Sequence, residues 1–572
     1  MSNQLTRQQR FERISEQPQW DIIIIGGGIT GAGIFKHACQ LGLKTLLVEQ
    51  KDFAWGSSSR SSKMVHGGLR YIAQGQIKLT IESVQEREKL LQQLPNLVSP
   101  QSFVMGHYQR QFPPPFIFNS LLWVYNLFAR KYNDDGLTPN ALSTNELSYL
   151  VPQFNRNKNL GGTQFSDALT DDARLVLRLI QEGQQLSGCA VNYCKVNHYL
   201  FADGDTNTDN SKVVGISATG ESIPENLTAH AKVVINATGA WADKLTGINP
   251  LKKANKQLTD NVSTKPIKIR PLRGSHIIVP SWRLPVASVV VILHPDDKRP
   301  VQVYPWQNVT VIGTTDVEHH QHLDDEAKIS INELDYLLAA VASQFPHSQI
   351  TANDIISTFA GVRPVVAGKS LIDPSKEKRD HSIWQQPGLL TVAGGKLTTF
   401  DVIAKQVLTF LRKDLALPSE KLSVPVFALP EIDVNLINKV VKKHQLSDYH
   451  YQHLLACYGD LLTDFFKEND DFLLSQISYS RHLWAELVWA VRHEQVQHLD
   501  DLLLRRTRLG NVLPEGAISI LDKVKTLCIT PLAWSENKWN FEVQRYKQLW
   551  KSHYSLPLFN KTNNNAVSSH AV

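Results

Sequence analysis

Gly26, Gly28 and Gly31, with Gly27 and Ile29 set among them, follow at once on the apolar run at residues 22–25. Glycines at this spacing permit a tight turn and a close approach of backbone to a pyrophosphate, with the N-terminus of the next helix facing the phosphate charge. Glu49 lies 18 residues past Gly31, at the end of a second strand-like run over residues 44–48. A carboxylate there is placed to accept hydrogen bonds from a ribose diol, and it repels a 2′-phosphate, which disfavours NADP. Such residues need a β-α-β unit to hold them. The pattern supplies one: strand 21–25, helix from Gly28 to Gly42, strand 44–48. FAD and NAD both remain open at this point.

Two later passages discriminate between them. A strand at 232–236 runs into Ala237-Thr238-Gly239, which resembles the second nucleotide-contacting turn of flavoproteins with two such turns. Residues 389–399 again read as strand, glycine turn and helix start, bringing Gly395, Lys396, Leu397 and Thr398 to a helix N-terminus. A helix end of that kind stabilises the anion that builds on the N1–C2=O edge of a reduced flavin. A nicotinamide needs no such partner, so FAD is the expected cofactor. The competing reading is a further αβ turn whose glycines serve packing.

Taken together, IIIIGGGITGAGI, SSSRSSKMVHGGLRY, DDARLVL, INATGAWAD, GSHIIVP, IGTTDVE, GVRP and GGKLTTF run in order from residue 22 to 400. HLLACYG, LWAELVWAVRHE and DDLLLRRTRLG continue the series to residue 510. This set resembles the FAD-dependent, quinone-linked glycerol-3-phosphate dehydrogenases, within the larger group of D-amino-acid-oxidase-like flavoproteins. The resemblance implies oxidation of sn-glycerol 3-phosphate to dihydroxyacetone phosphate by hydride transfer to flavin N5, with electrons passed to a membrane quinone. It implies substrate contacts at Arg70, Tyr71, Arg363, Lys396 and, where the alignment is looser, Arg379. It places cofactor contacts at Ser57, Ser62 and the turns already named. His66 is the candidate proton acceptor, alongside the reading of a structural histidine beside the flavin; Arg363 and Lys396 complete the candidate catalytic set. Guanidinium forks fit phosphate oxygens, which is why cations are expected near the flavin. Asp171 and Asp172 read as a helix cap and brace rather than as chemistry.

The implied fold class is α/β. A discontinuous Rossmann-like FAD-binding domain (about 20–110, 160–260 and 355–412) interleaves with a substrate domain on a mixed or antiparallel sheet (111–159 and 261–354). A helical domain follows at 413–558, where the pattern shifts to long helical stretches, and loose termini are expected at 1–19 and 559–572.

At 572 residues with a net charge of +6 and no dense basic block, the chain is a multidomain globular protein for which nucleic acid is not an expected partner. Its five cysteines show neither metal nor disulfide spacing, as suits a cytosol-facing chain, and no metal is expected. Glu318-His319-His320-Gln321-His322 reads as a solvated polar loop. The first twenty residues lack the apolar core of a secretory signal.

Residues 112–129 are apolar and aromatic but carry three prolines and two asparagines, so they suit a buried or interfacial helix rather than a span. The resemblance favours the interfacial reading, because quinone resides in the bilayer. The expected partners are therefore glycerol 3-phosphate, membrane quinone and the cytoplasmic membrane surface, with peripheral attachment; the oligomeric state, a homodimer included, stays open. An oxidase releasing hydrogen peroxide and a noncatalytic FAD-fold binding protein are the alternatives.

Overall fold

The computed structural model describes residues 5–69, 72, 75–129, 139–202, 211–221, 227–245, 267–366, 381–417, 424–427, 433–469 and 471–557. Two sheets organise it. The first has a parallel run in the order Leu389–Gly394, Leu227–Asn236, Trp20–Ile25, Thr45–Val48, Cys189–Val191, with His381–Gln386 antiparallel at one edge. Trp20, Ile22, Ile23, Ile24 and Ile25 are all buried, as expected for a central parallel strand covered on both faces. The chain leaves Trp20–Ile25 toward Thr45–Val48 on one side, while Leu227–Asn236 pairs on the other. That reversal opens a crevice at the carboxyl ends of the strands.

The helix Ile29–Gln40 starts at Gly28, and its buried face carries Ile34, Phe35 and Ala38. It crosses the helix Phe400–Phe410 so closely that a Cβ on Gly33 would stand 2.7 Å from Phe400 Cδ2. Burial of one such aromatic ring contributes about 1.5–3 kcal/mol, so the first and last parts of the nucleotide domain are joined through this crossing.

The second sheet is mixed: the one parallel ladder among its described strands joins Val289–Leu293 to Val98–Tyr108. Four strands that the linear segmentation assigns wholly or almost wholly to the nucleotide domain belong here: Met64–Val65, Val98–Tyr108, Asn159–Thr170 and Ser357–Val366. Ser357–Val366 pairs with Ile269–Pro280 over ten registers, and Val98–Tyr108 pairs with Asn159–Thr170. Both partners are distant in sequence, so local pattern carries no information about them.

Helices Asp448–Tyr458, Trp484–His493 and Glu536–His553 belong to the helical domain. Buried charges pin it to the rest. Asp171 caps the helix Asp172–Gln185 by accepting from Arg174 N–H, and also pairs with Arg508 at 2.9 Å. Asp172 takes Lys63 at 2.9 Å together with Arg508, Asp52 takes Arg506 at 2.6 Å, and Arg174 meets Glu494 at 2.6 Å. Removing one partner of such a pair costs about 3–5 kcal/mol, because the other charge is left buried and alone.

The N-terminal stretch corrects an expectation. Arg7–Glu16 is a helix with a Thr6/Gln9 capping box, Arg10 and Ile14 face inward, and Arg7 donates to Asn192 Oδ1 at 2.9 Å. Guanidinium groups bonded to backbone and amide oxygens hold a segment whose polarity suggests looseness. The 559–572 tail lies outside the described residues.

Pro115–Ala129 is a helix with two apolar faces. Phe118, Leu122 and Tyr125 are buried on one side, while Phe116 and Trp123 are 70% and 59% exposed, with Phe112 just before the helix 75% exposed. Among the described residues no helix is long and apolar enough to cross a membrane.

Candidate functional site: a cleft at the strand ends

Three turns meet where the parallel strands end. A Cβ on Gly26 (φ +111°) would stand 2.6 Å from Ala237 O, so the first two turns touch backbone to backbone and only glycine fits. A Cβ on Gly31 would stand 1.9 Å from Gly26 O, which brings the helix start directly against the turn. Gly239 has φ +59°. Gly394 and Gly395, at φ +82° and +83°, turn the chain from the strand Leu389–Gly394 into the 3₁₀ turn Leu397–Thr399.

Together the turns line a cleft of about 1040 Å³, at the upper end of the range for ligand sites. Gly26, Gly28, Ile29, Glu49, Ser57, Ser62, His66, Gly239, Arg363, Gly395, Lys396, Leu397 and Thr398 all reach it. The structure therefore gathers most of the sequence-derived set, drawn from three distant segments. Gly27 and Gly31 do not line the wall: Gly27 donates its N–H to Glu49 Oε2 at 2.7 Å, and Gly31 packs on the turn. Glu49 also accepts Lys51 N–H at 2.9 Å, so it braces the glycine turn as well as facing the cleft; burial raises its pKa against the pull of these two amides. Arg70, Tyr71 and Arg379 lie outside the described residues.

The cationic wall is built by long-range contacts. Arg363 donates from Nη1 to Asp316 Oδ1 at 3.2 Å and from Nη2 to Thr314 Oγ1 at 3.1 Å. Arg299, also on the cleft, approaches the second oxygen of Asp316 at 3.4 Å. A Cβ on Gly274 would stand 2.4 Å from Arg363 Nη2, so this glycine makes room for the guanidinium. Lys396 Nζ donates to Ser83 Oγ at 3.2 Å. Thr398 Oγ1 lies 3.5 Å from His66 O, joining the last turn to the HGGL segment. Tyr125 supports the same segment from behind: its hydroxyl accepts Gly67 N–H at 2.8 Å and donates to Asp167 at 2.9 Å.

Several lining residues escape sequence reasoning. Ser58 Oγ accepts Ile29 N–H at 2.9 Å at the helix start; its place in the serine run is the one available signal. Asp316 stands in a quoted motif without an assigned role, and Arg299 sits in a polar turn with no signal at all. Ser62 pairs with His276 Nε2 at 2.9 Å, and burial, with Lys63 and Arg363 nearby, holds His276 well below the usual histidine range. His319 corrects the solvated-loop reading: it is buried, its backbone N–H bonded to Pro271 O at 3.0 Å, while His320 and His322 are exposed on the cleft.

Glycine turns at a parallel-sheet switch point, a helix start against the first of them, a carboxylate at the end of the second strand and a second helix start, all on one cleft, define a dinucleotide-dependent oxidoreductase. The chain belongs to the FAD dependent oxidoreductase family, which matches residues 21–407. FAD is accordingly its cofactor, and the residues present fit it: the glycine turns at Gly26, Gly239 and Gly395 wall one open cleft, with Glu49 at the end of the second strand and Lys396 at the last turn.

Residues 429–539 match the C-terminal domain of alpha-glycerophosphate oxidase. The aerobic glycerol-3-phosphate dehydrogenase of Staphylococcus saprophyticus is 29% identical over 523 residues, 89% of this chain and 90% of that protein. The Staphylococcus aureus (strain MRSA252) protein of the same name is 28% identical over 516 residues, 88% of this chain and 89% of its own. A solved glycerol-3-phosphate dehydrogenase from Bacillus halodurans, complexed with FAD, superposes with a TM-score of 0.71 at 24% identity over 95% of this chain and 97% of that one. The resemblance to the FAD-dependent glycerol-3-phosphate dehydrogenases, drawn from the motifs, is borne out, as are the α/β class and its helical C-terminal part.

Proposed function

We propose that this protein oxidises sn-glycerol 3-phosphate at C2 to dihydroxyacetone phosphate and delivers the electrons to quinone at the cytoplasmic face of a membrane. The observation that carries the reading is the cationic wall, Arg363 with Lys396, on the same cleft as the nucleotide turns and His66. Support comes from curated relatives of similar length that are named aerobic glycerol-3-phosphate dehydrogenases.

A dianionic substrate requires positive charge in a partly desolvated pocket, where each charge-assisted bond contributes about 1.5–3 kcal/mol. Arg363 is oriented for this by Asp316 and Thr314, so its fork is fixed before substrate arrives. Arg70, Tyr71 and Arg379 are assigned to the same substrate by the motif resemblance. His66 accepts the C2 hydroxyl proton. Bound FAD supplies the redox chemistry by taking the hydride. Lys396 and the first amides of the Leu397–Thr399 turn, on the same cleft, would supply positive potential to a reduced flavin held there.

The exposed aromatics Phe112, Phe116 and Trp123 form the membrane contact, lying in the interface without crossing it. The reading is supported by the same helix bracing the HGGL segment, through Tyr125 accepting the Gly67 N–H.

The acceptor is tested by reducing the flavin with substrate and mixing it separately with a short-chain quinone and with air-saturated buffer. Reoxidation much faster by quinone supports the dehydrogenase. Fast reoxidation by oxygen with stoichiometric peroxide makes the protein an oxidase, the reading favoured by the match of residues 429–539 to a glycerophosphate oxidase domain.

A further inference from the structure

The loop over the helix start is held from the helical domain. Gly56, Ser57, Ser58, Ser61 and Ser62 line the cleft, and Ser58 Oγ receives the N–H of Ile29, the first residue of the phosphate-facing helix. On its other side the loop leans on distant residues. Arg508 Nη1 donates to Ser59 O at 3.0 Å, and Lys63 Nζ donates to the same oxygen at 2.7 Å. Arg60 is ion-paired with Glu326 and donates to Tyr554 OH at 3.2 Å; the Tyr554 hydroxyl in turn donates to Glu326. Glu326 also accepts Trp55 Nε1–H at 3.0 Å from the residue that leads into the loop.

The strand Ser357–Val366 backs these groups. A Cβ on Gly361 would stand 2.5 Å from Arg60 O, and Tyr554 O accepts Thr358 N–H at 2.7 Å, so the strand Ser357–Val366 carries both the loop and the end of the last helix. Arg60, Glu326, Arg508 and Tyr554 are all buried. Tyr554 also lies beyond both matched regions, which end at residues 407 and 539.

We propose that Tyr554 and Arg508 are positioning residues for FAD, fixing the 56–62 loop so that Ser58, which holds the Ile29 amide, presents its hydroxyl to the cofactor's pyrophosphate in one geometry. The C-terminal helix then acts as a latch on cofactor retention, although it contributes no atom to the cleft wall. The inference rests on FAD as cofactor and not on the identity of the substrate, so a failed substrate assignment leaves it standing.

The test uses the full-length protein, stripped of flavin and reconstituted. Tyr554→Phe keeps the ring and removes the hydroxyl; the expected result is FAD dissociation faster by about tenfold, followed as recovery of free-flavin fluorescence. The melting temperature of the apo protein separates latch from general support: a purely structural role lowers it and leaves the FAD Kd unchanged. Ser58→Ala combined with Tyr554→Phe should be less than additive in FAD affinity, because both act through the same loop. Unchanged FAD affinity in Tyr554→Phe, or full additivity in the pair, overturns the proposal. Should Tyr554→Phe fail to fold, Glu326→Gln takes its place in the same measurements with the same two outcomes.

Discussion

Gly31→Ala is the substitution for which the structure gives the sharpest magnitude. The new Cβ would stand 1.9 Å from Gly26 O, whereas ordinary contact begins at 3.4 Å, so helix and turn must part by about 1.5 Å. Ile29 N–H and Ser58 Oγ, 2.9 Å apart, sit at the start of that helix; amides there that serve the pyrophosphate move beyond hydrogen-bond range. Loss of two charge-assisted bonds costs at least about 3 kcal/mol, or roughly two orders of magnitude in FAD Kd. Gly42→Ala is the control. Gly42 has φ +77° with open space around its Cβ position, so alanine there costs about 1–2 kcal/mol of stability through backbone strain while leaving the turn alone. Titration of the apo proteins with FAD should give a much weaker Kd for Gly31→Ala and a wild-type Kd for Gly42→Ala. Equal FAD affinity in Gly31→Ala and wild type would refute the close-approach argument.

Lys396→Ala should lower both kcat and kcat/KM with FAD still bound, because its charge serves the transition state; a change in KM alone contradicts that role. Asp316→Asn should raise KM for glycerol 3-phosphate more than it lowers kcat by loosening Arg363, and wild-type kinetics would remove Asp316 from the site. Phe116→Ser with Trp123→Ser should release the protein from vesicles while substrate still bleaches the flavin; retained binding excludes this face as the membrane contact. Glu221 and Glu542 outweigh burial to push the His498 pKa up to about 10, while His498 and neighbouring cations, again against burial, bring Glu542 down to about 2. A raised histidine stabilises the fold fully below its ordinary value of about 6.5 and loses that contribution as pH rises toward 10. The melting temperature should therefore fall over that interval in wild type and fall less in His498→Gln; parallel curves would show that the pairing contributes nothing.

The nucleotide half of the site was legible because its determinants are local. Strand, glycine turn, helix start and acid lie within the 30 residues from Trp20 to Glu49, and each dictates the next through backbone geometry. The cationic half was legible only as residue types in motifs. Nothing near Arg363 in the sequence says that Asp316, 47 residues away, orients it, or that Arg299 shares that carboxylate. The loop latch lies further still: Arg60 and Tyr554 are 494 residues apart. The N-terminal helix was readable, since Thr6-x-x-Gln9 is a capping box, but a row of arginines disguised a face that docks on the sheet edge. Residues 112–129 invited two readings because the helix has two apolar faces, with Phe118, Leu122 and Tyr125 packed inward and Phe116 and Trp123 facing out.

The central claim is that a phosphate-bearing polyol reduces the flavin in this cleft. Anaerobic mixing of the FAD-loaded protein with glycerol 3-phosphate, followed by absorbance of the oxidised flavin, tests it most directly. Bleaching by glycerol 3-phosphate and none by equimolar glycerol is the expected result. A flavin that stays oxidised with both, or bleaches equally with both, contradicts it.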